Sequence, residues 1–316
     1  AEICYTVRKP ARAGISNGEV NKMLLSTQTD VVFRTLGEAE GVEVFARAGY
    51  DAIDFSMFPM TNPNCPWNTC DPQDFAKTLR KQAEDAGVRF NQAHAPFPSW
   101  KFGDDTYNRF IVEAVTRSIR IAGQLGAKAI VVHPIAHPEG GAVQKAFNLD
   151  YYRRLEPIAL DSGVKIALEN MWGYDGNRGC IIPNVCSFGE DLADYVDELN
   201  PEAFTVCLDL GHCGLVGDEA DHAIRALGGK RLGALHVHDN DYRNDTHTIP
   251  YALGCKMHWD RITTALGEID YQGDFTYEAD NFLVRFDKES LPYAVRFMAE
   301  LGRILIAKVD AARPAK

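Results

Sequence analysis

Carboxylates and imidazoles punctuate the ends of short apolar runs along this 316-residue chain. The run at 88–94 closes on His94, that at 127–133 on His133 and that at 164–169 on Glu169. The run at 204–209 closes on Asp209, with His212 three residues on, and that at 232–236 on His236, with His238 just beyond. A last run at 274–278 closes on Glu278. Six of the nine histidines (94, 133, 212, 236, 238 and 247) fall at these ends or in the segments after them. Taken singly, each group has an ordinary explanation: Glu169 as a helix cap or lysine partner, Asp209 as a turn residue before Gly211, and His94, His133 and His238 as hydrogen-bonded wall residues. Their clustering is harder to explain as a set of separate accidents. If the runs are strands whose ends converge, the groups share one site. Buried there without a cation, they would repel one another or stay unsatisfied. As a mixed nitrogen and oxygen set they suit a divalent metal.

The segments between these runs are amphipathic and carry helix signals. Helices are expected at 37–49, 71–87, 104–126, 148–163, 189–199, 218–227 and 258–269, with a final one at about 291–309. Asp71 and Pro72 open the second of these, and Gly87 stops it. The intervening runs, including 51–56, are almost continuously apolar, as in a parallel sheet buried on both faces. Residues 1–30 read as an irregular N-terminal arm, with a first strand near 29–34. Granting that strand, eight strand–helix pairs predict an α/β (β/α)₈ TIM barrel as a single domain over 1–316, whose strands present their C-terminal ends at one mouth. No GxGxxG follows an early strand, which argues against a dinucleotide-binding open sheet.

Composition narrows the partners. Lys and Arg number 33 against 44 Asp and Glu, a net charge of -11, so a phosphate backbone is a poor default partner and nucleic acid is not expected. No apolar run is long enough to cross a bilayer and no signal-peptide pattern is visible, which points to the cytoplasm. The eight cysteines lack CxxC spacing and favour free thiols, with disulfides at Cys65–Cys70 and Cys180–Cys186 left open.

The segments His94-Ala-Pro-Phe, Val132-His-Pro, Leu168-Glu-Asn, Leu208-Asp-Leu-Gly-His, Leu235-His-Val-His-Asp and Tyr277-Glu resemble the xylose-isomerase-like barrel superfamily. That group holds sugar isomerases and epimerases, inosose dehydratases and apurinic-site endonucleases. The resemblance implies Glu169, Asp209, His236 and Glu278 as the central metal ligands and a catalytic set of Glu169, Glu278 and His212, with His212 touching substrate oxygens. In the endonuclease branch, further ligands match His94, His133, His212, Asp245 and His247. One to three divalent ions per chain are therefore expected, with Mn²⁺, Co²⁺, Zn²⁺ or Fe²⁺ suiting the histidine-rich set better than Mg²⁺ alone. Many relatives resemble His-x-Lys-Asp at the seventh strand; here it is His236-Val-His238-Asp, which makes His238 a substrate-facing candidate.

The expected activity is isomerisation or epimerisation of a small sugar or polyol through an enediolate, with Glu169 and Glu278 moving the proton at carbon. Substrate contacts are expected from His94, Trp172, His238 and Arg243, and a lid from 173–184, which carries Arg178. Arg243 and Lys256 are alternatively surface residues. No glycine-rich phosphate loop is evident, which favours an unphosphorylated substrate. Competing readings are a metal-dependent phosphodiesterase acting on abasic DNA, a dehydratase or lyase on a keto-inositol or keto-glycoside, and a sugar-binding barrel with a structural metal. A homo-oligomer is expected from the resemblance.

Overall fold

Alternation along each strand decides this architecture, because successive side chains face opposite sides of a sheet. The computed structural model describes residues 23–315. The first 22 positions of the expected N-terminal arm lie outside the described residues. Ten strands and eleven helices follow: β1 (Leu25–Thr27), α1 (Asp30–Leu36), α2 (Glu38–Ala48), β2 (Ala52–Ser56), α3 (Pro72–Ala86), β3 (Arg89–His94), α4 (Asp105–Leu125), β4 (Ala129–Val131), α5 (Gly141–Ser162), β5 (Lys165–Glu169), β6 (Trp172–Asp175), β7 (Cys180–Pro183), α6 (Gly189–Val196), β8 (Phe204–Asp209), α7 (Leu210–Leu215), α8 (Ala220–Arg231), β9 (Leu232–His236), α9 (Trp259–Glu268), β10 (Phe275–Tyr277), α10 (Asp280–Leu283) and α11 (Leu291–Ala311).

Strands β2, β3, β4, β5, β8 and β9 pair in that order, all parallel. Strands β1 and β10 pair with each other. Bridges Gln28–Asp54 and Val237–Tyr277 join that pair to both edges of the six, closing an eight-stranded barrel. The (β/α)₈ expectation therefore holds.

Outward-facing strand residues such as Ile53, Ile130, Ile166, Leu168, Val206, Leu208 and Leu235 are fully buried against the helices, in the main apolar core. Inside the barrel, Ala129, Val131, Ala167, Cys207 and Ala234 form a separate small cluster. These side chains are short, so the interior is not filled by bulky aliphatics. Two residues further along the same strands, on the same face, stand His133, Glu169, Asp209 and His236. The chemistry thus sits one layer above a floor of small side chains. Helix signals act as expected: the Asp71 carboxylate accepts from Gln73 and Asp74 backbone N–H at 2.9 and 3.0 Å, and Gly87 ends α3 at φ 87°.

Two expected elements move and two gain detail. The first strand is β1, not 29–34; that segment enters α1, where Val31, Val32 and Phe33 are buried and Arg34 pairs with Asp30 at 3.2 Å. Helix α5 begins at Gly141, a full two turns before 148. Segment 173–184, the expected lid, is largely an antiparallel hairpin, β6–β7. The helix expected at 218–227 begins at Ala220 and breaks at Gly228, where φ is 65°, as the expected end requires, with a further short turn reaching Arg231. The seven described cysteines are unbridged. Among the described residues no helix is long and apolar enough to cross a membrane.

The small-residue floor gives a direct test. Ala234→Leu overfills the barrel interior and should lower stability by about 1–3 kcal/mol, read as a fall in the urea midpoint with an unchanged slope.

Candidate metal centre

The candidate ligands at the barrel mouth fall into four overlapping groups, one of which, His94, His236 and Glu278, links the first two described next. His94, His133 and Glu169 form one, Glu169, Asp209, His236 and Glu278 the second, and Asp209, His212, His238 and His247 the third; within each, the candidate ligand atoms lie within 4.8 Å of one another. Glu169 joins the first two groups and Asp209 the last two.

In the central group His236 Nδ1 lies 2.8 Å from Glu169 Oε1 and 3.0 Å from Glu278 Oε2. All three side chains are at least nine-tenths buried. In the first group His133 Nε2 is 2.9 Å from Glu169 Oε2, and His94 Nε2 is 3.6 Å from the same oxygen. In the third, His238 Nε2 is 2.9 Å from Asp209 Oδ1. Asp245 enters beside it: its Oδ2 lies 3.5 Å from His212 Nε2 and 3.1 Å from His247 Nε2.

Backbone carbonyls set the orientation of three of these rings. His94 Nδ1 donates to the Ala95 carbonyl at 2.7 Å, His212 Nδ1 to the Asn170 carbonyl at 2.8 Å and His247 Nδ1 to the Glu278 carbonyl at 3.0 Å. Each bond puts a proton on Nδ1 and turns Nε2 toward the site, where its lone pair becomes available to a metal once any Nε2 proton is displaced.

Electrostatics agrees with a cation-hungry site. Burial works against the Glu169 charge, yet His236 and His133 outweigh it and hold the carboxyl well below its usual range. Burial likewise opposes the Glu278 charge, but His236 and His247 bring its pKa down to about 2. Burial would neutralise His212, but Asp209 and Asp245 lift it to about 10. His236 and His247 are also raised well above the usual imidazole value, against burial, by acidic neighbours. Without a metal these protons stand in for it. The donor set fits a divalent ion: several buried carboxylates and neutral-capable imidazoles converge, and Asp245 Oδ1 is buried without a hydrogen-bond donor.

The centre opens into a cavity of about 420 Å³, walled by Phe97, Trp100, Met171 and Trp172, with His94, His133, Glu169, His212 and Glu278 at its base. Among the described residues no lysine or arginine lines it. Trp172 faces the cavity as expected and donates from Nε1 to Asp245 Oδ2 at 3.1 Å.

Two substrate-contact expectations shift. Arg243 is exposed on a turn whose N–H groups bond to Asp241, and it does not reach the cavity. Asp241 reorganises that loop locally, so a lone basic residue there faces solvent. His238 is wholly buried behind Asp209, and stacks on His247 with centroids 4.0 Å apart. A Cβ on Gly211 would come within 2.1 Å of the His238 ring, so the glycine between Asp209 and His212 makes room for it.

Two organising residues escaped sequence reasoning. The Asn170 side chain donates to the Asp209 carbonyl at 2.9 Å and accepts from Asp209 N–H at 2.7 Å, tying β5 to β8 at the site. Asp239 accepts from Trp259 Nε1 at 2.6 Å and from the N–H groups of Tyr251 and Met257, each at 3.3 Å, and so anchors the loop carrying Asp245 and His247. Both stand in segments that carry the family resemblance, Leu168-Glu-Asn and Leu235-His-Val-His-Asp, but residue type alone gave neither a role.

The family described as xylose isomerase-like TIM barrel matches residues 42–301. This chain belongs to that family. Among curated relatives, a probable endonuclease 4 from Staphylococcus aureus is 33% identical over 235 residues, covering 71% of this chain and 74% of its own length. An uncharacterized protein from Methanocaldococcus jannaschii is 29% identical over 196 residues, covering 60% of this chain; the match spans 64% of that relative's length. Among solved structures, a D-tagatose 3-epimerase-like protein aligns with a TM-score of 0.69 at 19% identity, covering 92% of this chain and 99% of its own. An L-ribulose 3-epimerase aligns at 0.68 and 16% identity, covering 92% and 95%. At these identities the structural matches speak for the barrel alone.

The protonated imidazoles make metal uptake pH-dependent in a defined direction. A bound ion must displace protons held by His212, His236 and His247, so affinity should rise with pH and binding should release protons. Calorimetry in buffers of different ionisation enthalpy reads that release. Stripping the protein with a chelator should lower its thermal midpoint by roughly 5–10 °C, and Zn²⁺ or Mn²⁺ should restore it.

Proposed function

We propose that this family member is a divalent-metal-dependent isomerase or epimerase of a small, unphosphorylated sugar or polyol. The observation that carries this reading is the pairing of Glu169 and Glu278 at the base of one small cavity. They come from β5 and the end of β10, on different sides of the barrel, and both reach His236 Nδ1, at 2.8 and 3.0 Å. A sugar bound over them at the cavity base would have both carboxylates within reach of its reacting carbon. The cavity's volume suits a compact ligand, its aromatic walls suit the apolar faces of a sugar ring, and among the described residues no lysine or arginine lines it to hold a phosphate.

Glu169, Asp209, His236 and Glu278 would hold the central metal. Such an ion supplies charge stabilisation for an enediolate when a carbonyl and adjacent hydroxyl are bound near it. Glu278 is the less buried of the two glutamates and lines the cavity, so it takes the proton from carbon. Glu169 returns a proton on the opposite face for epimerisation, or stays passive for isomerisation. His212 faces the cavity from its Nε2 side and exchanges the hydroxyl proton. Trp172 and Phe97 pack against the substrate and exclude water.

A second reading, a metal-dependent phosphodiesterase, is favoured by the complete outer ligand set of His94, His133, His212, Asp245 and His247. The net charge of -11 and the absence of lysine and arginine from the described cavity lining weigh against it. Incision of an abasic duplex, with salt-sensitive retention on DNA, would establish it over the sugar reading.

On a panel of aldoses, ketoses and keto-polyols in deuterated water, the protein should give an isomeric product carrying solvent deuterium at the reacting carbon. Glu278→Gln should cut that exchange about 10²–10⁴-fold while the metal-loaded barrel remains folded. Full activity in that variant would remove Glu278 from the chemistry.

A further inference from the structure

His236 is turned the opposite way from its neighbours. His94, His212 and His247 each spend Nδ1 on a backbone carbonyl and present Nε2 to the site. His236 instead presents Nδ1 to Glu169 and Glu278, so its Nε2 points down into the barrel, where strand carbonyls are engaged with neighbouring strands. Facing it there is Asp54, with Oδ2 3.6 Å from Nε2.

Asp54 is an unusual residue for its place. It stands in the middle of β2 and its side chain is 1% exposed. Its Oδ2 accepts from Gln92 Nε2 at 2.8 Å. Its Oδ1 has no hydrogen-bond partner, and neither does His236 Nε2. A carboxylate with one amide donor is costly to bury. Within the described barrel interior, the group placed to compensate it is the His236 imidazole. The backbone is arranged to bring the two together: the register between β2 and β3 slips between Ile53 and Asp54, so that Asp54 lies opposite Gln92 rather than Asn91. Such irregularities re-aim side chains beside functional sites.

We propose that Asp54 is a positioning residue that holds His236 in the Nε2–H tautomer, so that its Nδ1 lone pair faces the central metal position. Gln92 clamps the carboxylate from below. The role follows from the general behaviour of metal-ligating histidines, whose second nitrogen donates to a carboxylate or carbonyl that orients the ring and raises its basicity. It gives β2, which contributes no candidate ligand at the mouth, a part in the site. The inference rests on the reading that the centre binds a divalent cation.

The test uses the full chain, Zn²⁺ as the probe and two variants, Asp54→Asn and Asp54→Ala. Zn²⁺ affinity is measured in chelator-buffered solution. The His236 Nε2–H resonance is followed in Zn²⁺-loaded, ¹⁵N-histidine-labelled protein. Asp54→Ala should weaken the tightest Zn²⁺ site by about 10–100-fold and abolish or shift the Nε2–H signal. Asp54→Asn, which keeps an acceptor, should lie between it and the parent. The thermal midpoint of the metal-free Asn variant should stay level or rise, because a buried charge has gone. Affinity within twofold of the parent in the Asn variant, with its His236 signal unmoved, would overturn the proposal, as would a lowered metal-free midpoint with unchanged affinity. Parent protein that takes up no Zn²⁺ would remove the cation reading itself and the Asp54 role with it, a result distinct from equal binding by parent and variants.

Discussion

Everything at the mouth of this barrel depends on the crowding of Glu169, Asp209 and Glu278 against His236 in a largely buried space at the base of the cavity. Carboxylates at such separations cannot all keep their charge in a dry interior unless positive charge lies between them. The surrounding imidazoles supply it by holding protons, and a divalent ion would supply it better while freeing those protons. The same constraint reaches outward. Glu169 is shared with His94 and His133, and Asp209 with His238 and the His212–His247 pair, so the groups cannot be adjusted one at a time.

The barrel meets this constraint by layers. Its floor is Ala129, Val131, Ala167, Cys207 and Ala234, and the next inward positions on those strands carry the charged and imidazole groups. Long aliphatic side chains face outward, where the helices cover them. Above the floor, orientation comes from fixed dipoles: carbonyls for His94, His212 and His247, the Asn170 amide for Asp209, and the Asp239 carboxylate for the loop that brings Asp245 and His247 inward. Packing fixes position, and hydrogen bonding fixes which nitrogen or oxygen faces the cavity.

The sequence carried much of this in legible form. Nearly continuous apolar runs marked the inner strands because both faces are buried, and each run ended on the residue that now stands at the mouth. The convergence of strand C-terminal ends at one mouth of a parallel barrel then brought Glu169, Asp209 and His236 together. What stayed hidden were features set by tertiary contact. The Leu25–Thr27 strand is too short to show a pattern, and the Val31–Phe33 triplet beside it looks more strand-like than helical until its burial against the core is seen. Hairpin β6–β7 is half-exposed and so lacks an apolar signature. His238 and Arg243 could not be sorted by type: a buried neighbour, Asp209, claims one, and the turn around Asp241 turns the other to solvent. Asp54 gave no warning, since a single acid within an apolar run looks like an exposed edge residue until the strand register is known.

The claim beneath all of this is that a divalent cation sits among Glu169, Asp209, His236 and Glu278. Diffraction from metal-supplemented crystals, with data on either side of the Mn and Zn absorption edges, addresses it most directly. An anomalous peak about 2.0–2.3 Å from an atom of each of these four side chains is the expected result. Ordered density for all four, with no anomalous peak between them and with the carboxylates turned toward protonated imidazoles alone, would contradict it.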